Sequence, residues 1–264
     1  MKHMWMVMTA VVLGLGLSAH AAISDGLVAY LPFDADMQDV VGSYDATVVG
    51  GGSIAITAAG GQLGGFADKS GSAGKLELPI HLGSGSFTIS HWIRDYNGGN
   101  GAATGNQTYG AQGFYTYVDG ALQRHENRNA SGAGQRGEWN HGTWGTAWIF
   151  EVLTFDADTG TFTGRAYDPE TQFHKWTDPV PSVMGAGSSI DSGLNLFVAG
   201  AGDNDQDDLA IWNRVLTFAE MEEIRLAGQA GNALSTFPGV IVPEPATMSL
   251  LALGGLAALL RRRK

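Results

Sequence analysis

The feature that most limits the fold is the rhythm of residues 26–216, where short apolar runs are each closed by a cluster of Gly, Asn, Asp or Ser. A strand needs only about four to eight residues, whereas an ordinary helix needs a longer periodic stretch. Leu27-Val28-Ala29-Tyr30-Leu31 opens the series as a strand. Residues 86–94 alternate Phe87, Ile89, His91 and Ile93 against Thr88, Ser90, Trp92 and Arg94, the period-two pattern of a sheet with unlike faces. Residues 148–155 and 161–167 are β-rich runs flanking Asp156-Ala157-Asp158-Thr159-Gly160, which predicts a hairpin. Residues 194–198 and 209–212 supply two more strands. The pattern predicts an all-β fold, an antiparallel two-sheet sandwich in which each sheet is dry on one side and wet on the other.

One helix interrupts the strands. Thr217-Phe218-Ala219-Glu220 is a capping box, Leu216 and Met221 fit the staple positions, and Gly228 suits the C′ stop. Phe218, Met221, Ile224 and Leu226 leave a narrow apolar stripe, so the helix packs on the sandwich by one edge.

Composition narrows the function classes. With 44% hydrophobic residues in 264, the chain can bury a core, which excludes wholesale disorder. It has no cysteine, which excludes disulfides, thiol nucleophiles and cysteine-bound metal sites. The formal charge of −11 averages unlike pieces, because residues 22–242 hold 10 basic against 25 acidic groups. Such a body repels nucleic acid and anionic lipid and attracts divalent cations. Neither a Gly-rich phosphate loop after a strand nor a basic patch in the body is read from the chain, so nucleotides and nucleic acid are not expected partners.

Both ends carry addressing signals. Lys2, the apolar stretch 4–17 and Ala19-His20-Ala21 form a secretory signal over residues 1–21, a substrate for signal peptidase. The rival reading is an uncleaved anchor, for which the apolar run is short of the roughly 20 residues a span needs. Near the other end, Pro238, Pro243 and Pro245 break up the stretch after the helix, with a linker over residues 231–241. Residues 246–260 then carry no charge, and Arg261-Arg262-Arg263-Lys264 follow. As a helix the uncharged stretch covers about 22 Å, a marginal span suited to temporary retention, with its cations on the cytoplasmic side.

Val242-Pro243-Glu244-Pro245, the apolar stretch with Gly254-Gly255 and the arginine cluster resemble, in that order, the PEP-CTERM sorting signal. The resemblance implies that an exosortase, a membrane transpeptidase, processes residues 242–264 at or near the Pro-Glu-Pro motif, the membrane contact through the tail being transient. A plain C-terminal anchor is the alternative. A second resemblance covers residues 22–230. Gly26-Leu27-Val28-Ala29-Tyr30-Leu31-Pro32-Phe33-Asp34, the run 87–93, and Asp207-Asp208-Leu209-Ala210-Ile211-Trp212-Asn213-Arg214-Val215-Leu216 with its helix are similar to laminin-G-like, concanavalin-A-like jelly rolls. The chain departs from that pattern over residues 96–148, rich in Gly, Asn, Gln and Trp and without clear strands, except that Phe114-Tyr115-Thr116-Tyr117-Val118-Asp119-Gly120 resembles a strand-and-turn unit.

Three kinds of chemistry are open. Asp203-Asn204-Asp205-Gln206-Asp207-Asp208 is the densest acidic cluster, and alternating Asp in a loop suits calcium. As an EF-hand it fails, because Asp208 sits where Gly is needed and Arg214 where the bidentate Glu should be. The jelly-roll resemblance implies a structural calcium where the first strand meets the last, bringing Asp34, Asp36 or Asp39 near Asp207 or Asp208. Strand alternation sends Asp207 and Asp208 to opposite faces. The bland reading is a solvated acidic turn. Trp139, His141 and Trp144, beside Asn and Gln, offer the flat apolar surface and neutral hydrogen-bonding groups of a sugar-binding face, whereas Trp92, Trp148 and Trp212 fall in strand patterns and belong to the core. Catalysis finds little support. Glu151 is a lone strand glutamate, and the histidines are scattered with no His-x-x-x-His pair; glycosidases need two carboxylates across a cleft. The expectation is a secreted or cell-surface, non-catalytic module that contacts extracellular polysaccharide or another envelope component. A structural matrix protein without a defined ligand and a glycan-degrading enzyme are the alternatives.

Overall fold

The computed structural model describes residues 22–69, 73–97, 101–107, 110–119, 122–140, 147–169, 175–200 and 203–240. The expected signal over residues 1–21 and the tail over 242–264, with its expected hydrophobic helix, lie outside them. No helix among the described residues is long and apolar enough to cross a membrane.

In chain order the strands are β1 (Leu27–Leu31), β2 (Thr47–Val49), β3 (Ala55–Thr57), β4 (Phe66–Asp68), β5 (Lys75–Leu78), β6 (Phe87–Asn97), β7 (Gly101–Gly105) and β8 (Gly113–Asp119). They continue as β9 (Leu122–Arg128), β10 (Gly134–Asn140), β11 (Ile149–Asp156), β12 (Thr161–Tyr167), β13 (Ser182–Val183), β14 (Leu196–Val198) and β15 (Asp203–Trp212), and then helix α1 (Phe218–Gln229). The first sheet runs β13-β12-β11-β6-β15-β4-β3, with β1 also paired to β15; the second runs β10-β9-β8-β7-β14-β5-β2. Every pairing is antiparallel, including the hairpin β11–β12. The fold is the expected jelly-roll sandwich.

The alternation along β6 decides which side chains meet. Phe87 and Ile89 face the second sheet and pack with Phe114, Phe155, Phe162, Leu76, Leu78 and Leu196 in the inter-sheet core. Trp92 faces the other way, into a second core with Trp148, Phe150, Trp176, Trp212, Met221 and Ile224. The first sheet is therefore buried on both sides, by the second sheet and by a layer built on α1. Trp92, Trp148 and Trp212 are buried as expected.

Helix α1 begins at the expected capping box, in which Thr217 Oγ1 accepts from the Glu220 amide and the Glu220 carboxylate accepts from the Thr217 amide. Its end differs from expectation. Gly228 lies inside the helix, and a Cβ there would stand 2.6 Å from Trp92 Cζ2. The glycine is an opening for an indole ring, and Ala230 is the C-cap. The stretch expected to act as a linker is packed as far as Val240. Leu234, in a 3₁₀ turn, and Val240 are both buried in the helix-side core. There the two ends of the packed body meet, since a Cβ on Gly239 would lie 2.6 Å from Ser24 Oγ.

Two stretches depart from the sequence reading. Residues 96–148 contribute β7 to β10, more than half of the second sheet. The acidic run from Asp203 is neither a calcium loop nor a solvated turn: it forms the first half of β15, between β6 and β4, with residues 204–208 all buried.

Candidate functional site

The inter-sheet space changes character along its length. At the end where β6, β8, β10 and β12 finish and β7, β9, β11 and β15 begin, the inward side chains are polar. His91 on β6 pairs in register with Glu151 on β11, and its Nε2 lies 2.9 Å from Glu151 Oε2. The other ring nitrogen, Nδ1, lies 2.7 Å from Gln206 Oε1 of β15, and Gln206 Nε2 donates to Asn204 Oδ1. From the second sheet, Gln123 Nε2 on β9 donates to Glu151 Oε1 at 3.0 Å. One hydrogen-bonded chain thus crosses from sheet to sheet. Around it Thr104 Oγ1, Thr116 Oγ1, Gln123 Oε1 and Asn204 Nδ2 are buried without a hydrogen-bond partner among the described residues, as is the Asn127 amide further along β9, opposite Phe114. Each such atom costs about 1–3 kcal/mol to leave unmet, so this layer is assembled at the expense of core stability.

His125 on β9 faces the same layer. A Cβ on Gly137 of β10 would lie 2.3 Å from its Nε2, and one on Gly164 of β12 would lie 3.0 Å from its Nδ1. Two glycines, one on each sheet, make room for the ring, which meets Phe162 edge-on at 5.6 Å. Burial pushes the imidazole down to about 4, against a hydrogen bond with the Val180 backbone, so the ring is neutral at ordinary pH.

Trp139, expected to bind a ligand, is the register partner of Gln123. It therefore belongs to a strand at this end and not to a Gly-rich loop. His141 and Trp144 lie outside the described residues, between β10 and β11. Glu151, the lone strand glutamate, is 2% exposed with both oxygens engaged. Both His91 nitrogens are also engaged, so this pair is not available as an acid or base to an external substrate. The polar layer escaped sequence reasoning because His91 and Glu151 sit at alternating positions that period-two patterning assigns to the core without regard to charge.

The expected calcium ligands were tested against the geometry. Asp39 is saturated, with Oδ1 accepting from the Tyr30 and Val41 amides and Oδ2 from the Tyr44 amide. Asp36 is exposed and accepts from the Gln38 amide within its own turn. Asp34, Asp207 and Asp208 do converge. A β-bulge with Asp208 at φ +52° cancels the alternation expected between Asp207 and Asp208. Both carboxyls lie on the helix side of the first sheet, under the strap of Gly60, Gly61, Gly64 and Gly65. One oxygen of each is occupied: Asp34 Oδ1 accepts from the Gly65 amide, Asp207 Oδ2 from the Leu63 amide, and Asp208 Oδ1 from the Tyr30 hydroxyl, while Asp207 Oδ1 is buried without a hydrogen-bond partner among the described residues. Among the described residues, no three His, Asp or Glu side chains are gathered as a metal ion requires. Burial, reinforced by mutual repulsion, instead pushes Asp207 up to about 8 and Asp208 up to about 7.

Residues 242–264 match the PEP-CTERM protein-sorting motif. The tail is a sorting signal. It implies exosortase-dependent export of the chain with the tail anchored in the membrane. No curated protein matches the chain in sequence. Among solved structures, the chain is similar to domain 4 of AbnA, a GH43 extracellular arabinanase from Geobacillus stearothermophilus, solved in complex with arabinotriose. That likeness has 17% identity and a TM-score of 0.57, and covers 75% of this chain and 97% of that one. It is also similar to the binding domain of Paraclostridial Mosquitocidal Protein 1, at 16% identity and a TM-score of 0.57, covering 76% of this chain and 52% of that one. A third likeness is to the botulinum neurotoxin DC binding domain in complex with SialylT, at 14% identity and a TM-score of 0.54, covering 79% and 53%. The chain thus spans about half the length of the toxin domains. At these identities the likenesses establish the fold, and the domains that share it are mostly binding domains.

Proposed function

We propose that the PEP-CTERM protein is displayed on or released from the cell surface and acts there as a non-catalytic module that binds extracellular polysaccharide. The observation that carries the reading is the run of Trp139, His141 and Trp144 at the end of the sandwich where the strand of Trp139 finishes; the polar inter-sheet layer at the same end is itself buried. Neutral donors and acceptors beside aromatic rings suit the hydroxyls and flat faces of sugars. The engagement of both His91 nitrogens and both Glu151 oxygens favours binding over turnover. That a domain of this fold was solved with arabinotriose supports the ligand class. Signal peptidase and an exosortase are the processing partners, and His141 and Trp144 complete the proposed binding end.

A glycan array with the purified protein tests this. Retention of a defined set of glycans, weakened about tenfold or more by Trp139→Ala or Trp144→Ala, is the expected result. Retention of no glycan would leave a purely structural matrix role. New reducing ends or an unsaturated product would make the protein an enzyme.

A further inference from the structure

The strands that end the two sheets are very unequal in length. β2 and β3 have three residues each and β13 has two, whereas β10, which ends the second sheet, has seven. An edge strand leaves a row of amides and carbonyls open to another chain, and proteins blunt such edges by shortening, bending or charging them. β10 is neither short nor bent. Its register with β9 runs unbroken from Gly134 to Asn140, it holds no proline or lysine, and Gly134, Gln135, Arg136 and Glu138 are exposed. The hairpin closes with the Asn129 amide donating to the Ala133 carbonyl at 3.0 Å. From that pair, the alternation of an antiparallel ladder turns the amides and carbonyls of Gly134, Arg136, Glu138 and Asn140 away from β9.

Only charge is left to guard this edge, and its arrangement is self-complementary. In Gly134-Gln135-Arg136-Gly137-Glu138-Trp139-Asn140 the two opposite charges stand symmetrically about Gly137. A second copy related by a twofold axis through Gly137 therefore sets Arg136 against the partner's Glu138, and Glu138 against the partner's Arg136. Moving the axis by one residue sets Arg136 against the partner's Arg136, or Glu138 against the partner's Glu138, and like charges directly opposite are destabilising. Within one copy Arg124 already faces Glu138, and Glu126 faces Arg136. The join continues that alternation as Arg124, Glu138, the partner's Arg136 and the partner's Glu126. Arg136 and Glu138 touch each other at 3.2 Å yet keep 46% and 42% of their side chains exposed, so each retains surface for a second contact. The first sheet adds apolar surface on the same side: β13 lies across from β10, and its Val183 is 51% exposed.

We infer that the protein forms a twofold dimer by antiparallel pairing of β10 with β10 of a second copy, which joins the two second sheets into one. Such an interface is isologous and closed, so it stops at two copies. The paired stretch is about 24 Å long and provides about eight backbone hydrogen bonds. The inference rests on the edge of the sheet and not on glycan binding, although it bears on it. Trp139 stands opposite the partner's Gln135, which leaves the two Trp139 backbones about 14 Å apart. One polymer chain then engages both copies and is held by avidity.

Sedimentation equilibrium of the mature protein, purified from its own cells, tests this. The unaltered protein should be dimeric at about 100 μM. Glu138→Arg and Arg136→Glu each set like charges against one another at the join, and each should weaken dimerisation about tenfold or more. Mixing the two variants restores opposite charges at every position, so the mixture should regain the dimer. Unaltered protein that stays monomeric would overturn the inference. A dimer that survives both reversals would do the same, because it forms through another face, and loss without recovery in the mixture would overturn the register. Amide hydrogen exchange on unaltered protein needs no variant to fold. The Arg136 and Glu138 amides should exchange at least about tenfold more slowly in concentrated than in dilute solution, and equal rates would count against the join. None of these readings depends on a glycan, so failure of the glycan array leaves them standing.

Discussion

His91 and Glu151, register partners on neighbouring strands, face each other at 2.9 Å in the interior of the sandwich. The other ring nitrogen of His91 meets Gln206 Oε1 at 2.7 Å, and the second Glu151 oxygen accepts from the Gln123 amide. Glu151→Ala therefore strands His91 and the Gln123 amide in a dry interior. The expected loss is about 3–5 kcal/mol of unfolding free energy, measured by urea denaturation. A loss below about 1 kcal/mol would mean that water replaces the carboxylate without penalty.

Gly228→Ala sets two effects of opposite sign against each other. In an exposed helix the change gains up to about 1 kcal/mol. Here the added methyl falls 2.6 Å from Trp92 Cζ2, and such overpacking costs about 1–3 kcal/mol. The net result expected is destabilisation, seen as a lower melting temperature. The double variant with Trp92→Phe should recover part of it, because the smaller ring vacates the contact.

Asp207 and Asp208 give stability a pH slope of definite sign. Their folded-state values, about 8 and about 7, exceed the ordinary 3.8, so the folded chain holds more protons between those limits. Stability from this pair is complete below about pH 4 and is lost as pH rises through about 7 to 8. His125 acts oppositely. Its folded value of about 4 lies below the usual 6.5, so its contribution is lost as pH falls through that window. Melting temperatures from pH 4 to 9 should show the alkaline decline, and Asp207→Asn should flatten it. The decline should be unchanged by millimolar calcium; a calcium-dependent rise at pH 8 would show that a cation takes the place of the protons.

The tail makes a separate prediction. Mass spectrometry of the protein from exosortase-positive cells should find it cut at or near Pro243-Glu244-Pro245. Replacement of Glu244 by Ala should leave the full tail attached. Intact Arg261, Arg262 and Arg263 on the mature unaltered protein would identify a permanent anchor.

Most of the architecture was legible in the chain because its strongest strands alternate. Phe87, Ile89 and Ile93 against Thr88, Ser90 and Arg94 announced β6, and the capping box of Thr217 and Glu220 announced α1. Of the strands from β7 to β10, β8 was foreshadowed by the strand-and-turn run from Phe114, and the other three were not legible for a physical reason. Their inward positions hold Thr104, Thr116, Gln123, His125 and Asn127, so the polar layer erases the hydrophobic contrast on which period-two reasoning depends. The acidic run at β15 misled in the same way, since five consecutive polar residues suggest solvent and here fill the centre of a sheet. The bulge at Asp208 was invisible because alternation assumes an unbroken ladder. Trp139, read in a Gly-rich stretch without clear strands, stands in β10, and the chain gave no sign of the His91–Glu151 bridge, which only the register creates.

The meeting of Ser24 and Gly239 on the helix side fixes how the body hangs. Its first and last packed residues leave from a single point, and the second sheet lies on the far side of the molecule from that point. A tether at either end of the packed body would therefore pull from the helix side, with the broad face of β5, β14 and β7 to β10 at the opposite side of the sandwich.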